Sequence, residues 1–265
     1  MKADNFALQS YLSRIGYHGG AKADIATVTE MMRCQLFTVP FENLDVQAGK
    51  VISLVPEEIV EKILNRNRGG YCYEVNGLFA MALQSLGIPY QFVAARPMFY
   101  PVKRPKTHMA IVLRVNGEEW LCDLGFGSYG IRAPMRLSLV DVEVKQDADT
   151  FVLNKINDHE YLLKALVDGE WANQYAFDLS PQDWIDFVPA NYLNSTHPDA
   201  IFVQKLLIVL HDSAGRKILF GDMLKTVKNG RVEKQTIAPE DIVSILSDKF
   251  GLTLNAENCS TPHKF

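Results

Sequence analysis

Two dipeptides, Asn116-Gly117 and Asp168-Gly169, each interrupt a stretch of alternating apolar and polar residues. An Asx-Gly pair in that setting is the strongest short-range signal for a two-residue hairpin turn, because both central residues need positive φ. Segments 109–115 and 118–124 flank the first pair, and 161–167 and 170–177 flank the second. Further strand candidates at 90–95 and 151–156 extend the pattern, which predicts a small antiparallel barrel or sandwich in the middle of the chain.

Helical periodicity surrounds this β region. Residues 6–15 and 25–37 carry apolar side chains at helical spacing, and Val55-Pro56-Glu57-Glu58 opens another helix that ends by Gly69-Gly70. A further helix starts at Cys72, with Val75, Leu78, Phe79, Ala82 and Leu86 on one apolar face, and is stopped by Gly87 and Pro89. After the β region, Ser180-Pro181-Gln182-Asp183 reads as a capped start of a helix running towards Leu193. Strands are expected at 202–210, 217–220, 223–227 and 231–236, and a last helix from Pro239. The polar segment 141–150 reads as a surface loop. The expected class is α+β: helical to about residue 86, then a small antiparallel barrel or sandwich, then a mixed region of strands and one helix.

The chain has 265 residues, of which 48% are apolar and 22% charged, so a sizeable core is available. A net charge of −4 gives no basic footprint for a nucleic-acid partner. The N-terminus lacks the apolar run of a signal peptide, and Leu206 to Leu210 is far too short to span a bilayer. A soluble cytoplasmic protein with no membrane partner is expected.

Of the four cysteines, Cys34 lies on an apolar helix, Cys122 inside a strand and Cys259 in a polar tail. No pair shows metal-ligand spacing, and the histidines outside the β hairpin sit in unpaired contexts, so no metal is expected. Cys72 differs from the other thiols. It follows Gly69-Gly70, which permit a tight turn and close substrate approach, and it opens a helix whose N-terminal dipole lowers a thiol pKa by about one unit.

The first hairpin supplies partners. With a two-residue loop, paired positions stack Ile111 on Cys122 and Leu113 on Trp120, and set Arg114 against Glu119. Continued outward, the register places Ala110 opposite Asp123 and His108 opposite Gly125. His108 and Asp123 are then diagonal neighbours about 7–8 Å apart at the backbone, within reach of an imidazole–carboxylate bond. A one-residue slip would separate them. With Cys72, they form a candidate triad in which the thiol attacks an acyl carbonyl, His108 handles its proton and Asp123 orients the ring. Such a triad also serves thiol hydrolases and amide synthases.

Arg68-Gly69-Gly70-Tyr71-Cys72-Tyr73-Glu74-Val75-Asn76 resembles the nucleophile motif of prokaryotic-type arylamine N-acetyltransferases. Val39-Pro40-Phe41-Glu42-Asn43-Leu44, Thr107-His108, Asp123-Leu124-Gly125-Phe126-Gly127 and His197-Pro198 with Phe202 resemble further segments of that family, in the same order over nearly the whole chain. Leu124 stands where Val is usual. The resemblance implies a helical bundle at 1–86 carrying the cysteine, a β-barrel at 87–195 carrying His108 and Asp123 and ending in a linking helix, and an α/β lid at 196–265. It implies ping-pong acetyl transfer from acetyl-CoA, as co-substrate, to aromatic amines and hydrazines. It assigns Phe41, Phe126 and Phe202 to the acceptor pocket, although Phe41 reads equally well as a core aromatic. Thr107, Gly125, Gly127 and Ser128 would face the CoA arm, and Glu42 and Arg68 would form a supporting ion pair. Outside the family pattern, the Pro- and base-rich loop 97–106 would shape the acceptor pocket, bring Lys103, Arg104 and Lys106 to the CoA phosphates, or, as the simplest reading, be a solvated loop. A non-catalytic acyl-CoA-binding relative is the remaining alternative.

Overall fold

The structure, a computed structural model, describes residues 1–253; the expectations for Cys259 and His263 lie outside them. Five helices form the N-terminal part: α1 (Leu8–Ile15), α2 (Ile25–Thr38), α3 (Leu44–Gln47), α4 (Pro56–Val60) and α5 (Cys72–Ser85). The Asp24 side chain caps α2 by accepting the Thr27 N–H at 2.7 Å. A π-helical turn, Glu61–Asn65, continues α4. Helix α5 differs from the single apolar face expected of it. Every residue from Cys72 to Leu83 is buried, including Glu74 and Asn76. It is a central helix, and its polar residues are therefore obliged to find partners inside the protein.

Eight antiparallel strands make the barrel: β2 (Tyr90–Pro97), β3 (His108–Val115), β4 (Glu118–Cys122), β5 (Met135–Arg136), β6 (Glu143–Gln146), β7 (Asp149–Lys155), β8 (Glu160–Val167) and β9 (Glu170–Asp178). Their order is β5-β4-β3-β2-β9-β8-β7-β6. Both Asx-Gly turns have positive φ at both positions, 53° and 79° at Asn116-Gly117 and 51° and 85° at Asp168-Gly169. The β3–β4 register has Val115 opposite Glu118, Leu113 opposite Trp120 and Ile111 opposite Cys122, as the turn dictates. The segment expected to be a surface loop, 141–150, instead contributes β6 and the start of β7. Buried Gln146 explains this, because its amide bonds the Arg132 N–H and the Ala133 carbonyl across the barrel end.

The C-terminal part holds α6 (Val188–Thr196), α7 (Ile201–Gln204), strands β10 (Leu207–Asp212), β11 (Gly215–Phe220), β12 (Met223–Lys228) and β13 (Arg231–Thr236), and α8 (Ile242–Phe250). The helix expected from Ser180 starts later, with a 3-10 turn Trp184–Phe187 whose Asp186 carboxylate accepts the Asp183 N–H. A short strand from the N-terminal part, β1 (Phe41–Glu42), pairs with β10, Phe41 opposite Val209. A second core of Leu206, Ile208, Leu219, Leu246 and Phe250 lies beneath α8. No helix among the described residues is long and apolar enough to cross a membrane.

The strand expected from residue 202 begins at Leu207, and Phe202 lies in α7. The cause is Asn43. Its Nδ2 donates to the Phe202 carbonyl at 2.7 Å and the Lys205 carbonyl at 2.9 Å, and its Oδ1 accepts the Leu207 N–H at 2.7 Å. One buried amide thus closes α7 and starts β10. Asn43→Ala leaves the Lys205 carbonyl and the Leu207 N–H without this partner, while the Phe202 carbonyl keeps Gln47 Nε2 at 2.6 Å, and is expected to cost about 2–4 kcal/mol. Urea unfolding measures this, and a loss below about 1 kcal/mol would remove the clamp from the account.

Candidate active site

Cys72 is 2% exposed at the first turn of α5. The glycines before it serve the chain rather than a ligand. A Cβ on Gly69 would lie 1.9 Å from the Pro40 carbonyl oxygen, and one on Gly70 would lie 2.6 Å from Glu74 Cβ. The Gly70 N–H donates to the Pro40 carbonyl and the Glu42 N–H to the Gly70 carbonyl, which moors the loop before Cys72 to β1. Only glycine allows that approach.

The hairpin ladder ends at Cys122, so the backbone pairing expected at Ala110–Asp123 and His108–Gly125 is not formed. The dyad is nevertheless assembled, with His108 Nε2 2.7 Å from Asp123 Oδ2. Asn76, one turn along α5 from Cys72, takes over from the ladder. Its Nδ2 donates to the Met109 carbonyl at 2.8 Å and to Asp123 Oδ1 at 3.2 Å, and its Oδ1 accepts the Leu124 N–H at 2.9 Å. The Gly125 N–H gives Asp123 Oδ1 another donor at 2.9 Å. A carboxylate supplied with these donors stays an acceptor, so the His108 tautomer that fits carries its proton on Nε2 and leaves Nδ1 free. Tyr175 packs on the imidazole, with ring centroids 4.9 Å apart. Burial, joined by the charge of Asp123, keeps the Tyr175 hydroxyl pKa well above its ordinary value.

Cys72 and His108 open into one apolar cavity of about 350 Å³. Phe41, Phe126 and Phe202 all line it. Phe126 lies 5.1 Å from the His108 ring, and Phe41 lies 5.9 Å from Phe202. Thr107, Gly125, Gly127 and Ser128 line it too. The space beside both glycines is taken internally. A Cβ on Gly125 would sit 2.4 Å from Cys72 Cα, and one on Gly127 would sit 2.9 Å from the Phe41 ring. Of the loop cations, Arg104 lines the cavity, Lys106 pairs with Asp178 at 2.5 Å and Lys103 is exposed. His197 is exposed at the end of α6 and is not part of the lining. Tyr175, Asn194 and Leu193 are neighbours that sequence spacing did not single out; the latter two also line the cavity.

The sequence profile of a family described as N-acetyltransferase matches residues 24–259. The arylamine N-acetyltransferase of Escherichia coli (strain K12) is 31% identical over 258 residues, covering 92% of this chain and 88% of that protein. Its counterpart from Mycolicibacterium smegmatis is 30% identical, with 93% and 92% covered. Among solved structures, the arylamine N-acetyltransferase from M. tuberculosis aligns with a TM-score of 0.89 at 30% identity, covering 93% of this chain and 94% of that one. The Mycobacterium marinum arylamine N-acetyltransferase in complex with CoA gives 0.88 at 28%, with 93% of each chain covered.

Electrostatics around α5 depart from the helix-dipole expectation. Burial pushes the Cys72 thiol up strongly, and the Asp123 and Glu74 charges add to this. Backbone hydrogen bonds from Met109 and Tyr73 oppose it without prevailing. A lone thiolate is therefore disfavoured, and the anion requires a cation beside it.

Behind the loop, Arg68 bonds Glu42 at 2.8 Å, and this pair belongs to a larger cluster. Lys62 lies 2.7 Å from Glu74, 2.8 Å from Asp45 and 3.7 Å from Glu42. Burial alone would favour neutral Lys62, but the three carboxylates outweigh it and hold the ammonium above its usual range. Lys50, 4.0 Å from Asp45, adds a third base at the exposed rim, and the acid whose carboxyl is raised is the deeply buried Glu74. Burial pushes its carboxyl up to about 7, with Lys62 opposing and Glu42 adding to the rise. Glu74 also accepts the Tyr71 N–H at 3.0 Å, which caps α5. Because the folded carboxyl holds its proton more tightly than the unfolded one, its contribution to stability is greatest at low pH. That contribution is lost as pH rises from about 4.5 to about 7. Urea unfolding across that window is expected to show wild type losing up to about 3 kcal/mol relative to Glu74→Gln, at about 1.4 kcal/mol per unit. A difference that does not vary with pH would contradict this assignment.

Proposed function

Because this chain belongs to the arylamine N-acetyltransferase family, we propose that it moves the acetyl group of acetyl-CoA to aromatic amines, with related hydrazines and hydroxylamines as further acceptors, through a thioester on Cys72. The observation that carries this reading is the 2.7 Å His108–Asp123 bond, which leaves the second ring nitrogen free beside the cavity that holds the thiol.

In the proposed first half-reaction, Cys72 Sγ attacks the thioester carbonyl as His108 Nδ1 takes the thiol proton. Burial that disfavours an isolated thiolate is consistent with this coupling, because the thiolate–imidazolium pair is neutral overall. The tetrahedral intermediate collapses by expelling CoA thiolate, which recovers a proton from the imidazolium. In the second half-reaction the acceptor nitrogen attacks acetyl-Cys72, His108 removes its proton, and Cys72 leaves as the thiol. Asp123 holds the ring tautomer and the imidazolium throughout. Phe41, Phe126 and Phe202 supply flat apolar walls for an aromatic acceptor. Thr107 and Ser128, on the cavity wall, are proposed to face the pantetheine arm. Gly125 and Gly127 are proposed to act there by keeping Cys72 and the Phe41 ring in place.

Incubation with acetyl-CoA alone is expected to add one acetyl mass to the intact protein and none to Cys72→Ala. No adduct on wild type would leave an acyl-CoA-binding protein. Water as the main acceptor would make it a hydrolase. Asp123→Asn is expected to fold and to lose turnover by roughly 10³–10⁴-fold, by the logic of a mis-set tautomer. Near-normal rates in that variant would take Asp123 out of the mechanism.

A further inference from the structure

Among the residues lining the cavity, Arg104 is the one with a permanent charge. Its surroundings hold it in place. Its guanidinium carbon lies 4.9 Å from the centre of the Tyr100 ring, and Nη2 donates to the Asp199 carbonyl at 3.2 Å. The Arg104 carbonyl in turn accepts from Arg96 Nη1, so the loop is tied at both ends of the residue. Yet among the described residues no carboxylate lies within ion-pair distance of Arg104. Lys106, two residues on, is neutralised by Asp178.

A fixed, half-buried guanidinium without a counter-charge, on the wall of an otherwise apolar cavity, is suited to bind an anion. Among the described residues its Nε and Nη1 have no protein acceptor, and a planar fork of donors matches a carboxylate in bidentate geometry. The aromatic walls call for a flat ring, and Cys72 calls for the amine to point inward. From these placements, and resting on the proposed acetyl transfer, we infer that Arg104 selects aromatic amines bearing a ring carboxylate, held with the amine towards Cys72 and the acid towards the guanidinium. The phosphates of CoA are the other anions at hand. A pantetheine arm whose thioester has reached Cys72 is many bonds long, and it carries those phosphates well beyond a cavity of about 350 Å³.

The test compares 4-aminobenzoate with its ethyl ester, which has the same ring and amine without the charge. The full-length chain is used as wild type, Arg104→Met and Arg104→Lys. The expected result in Arg104→Met is a fall of about 10–100-fold in the ratio of kcat/KM for the acid to that for the ester, carried by KM for the acid. Arg104→Lys is expected to recover part of it, since it restores the charge without the fork. An unchanged ratio would overturn the inference, as would a slower acetylation of Cys72 by acetyl-CoA with no change in the ratio. The latter outcome would assign Arg104 to the CoA phosphates. If wild type acetylated neither compound, the parent reading would fail. Calorimetric titration with 4-aminobenzoate would then decide Arg104 by itself: binding lost in Arg104→Met supports the anion site, and equal or undetectable binding in both proteins ends it.

Discussion

A single buried amide joins the three stretches of chain that meet at the proposed triad. Asn76 leaves α5 one turn after Cys72 and bonds the backbone of β3 at Met109, the carboxylate of Asp123 and the backbone of Leu124. The thiol, the imidazole and the carboxylate belong to different elements, and nothing in local propensity sets their separation. Asn76 sets it. In the dry interior this amide has no water to turn to, so its hydrogen bonds define one arrangement rather than several. The position of Asp123 follows from it, and through Asp123 the tautomer of His108.

A second set of polar groups supports the same helix from the other side. Lys62, Arg68, Glu42, Asp45 and Glu74 lie together behind the loop that leads to Cys72, and Glu74 closes the first turn of α5. Three buried and two half-buried ionisable groups add little net stability compared with an apolar core. Their effect here is directional. Glu42 continues directly from Phe41 in β1, Arg68 precedes Gly69-Gly70, and Glu74 follows Cys72, so the ion pairs fix the strand, the loop and the helix start relative to one another. The cavity wall at Phe41 and the thiol at Cys72 thereby share one rigid base.

The parts legible in the sequence were those governed by local rules. An Asx-Gly turn fixes register, so the pairing of Ile111 with Cys122 follows from spacing alone. Where the ladder stops does not follow, because a side chain from a distant helix replaces the backbone bonds. The i+4 relation between Cys72 and Asn76 was a usable signal, since it puts both on one face of α5. Tyr175 carried no such signal. It reaches His108 through the β2–β9 pairing of Pro97 with Tyr175, a contact between distant residues. The apolar run after residue 200 fits strand or helix equally well, and Asn43, far away in sequence, decides it. At Cys72 a helix dipole worth about one pKa unit is too small to offset burial.

The threading of β1 bears on how the molecule comes into being. Phe41 pairs with Val209 on one side and bridges to Gly70 on the other. During synthesis the N-terminal helices emerge early, but the seat for Phe41 does not exist until β10 has left the ribosome. The loop bearing Cys72 is therefore braced only near the end of translation, because contacts of such long sequence separation form late. A nascent or truncated chain would carry the cysteine without the enclosure around it, so the cavity beside Cys72 is completed only once nearly the whole polypeptide has been made.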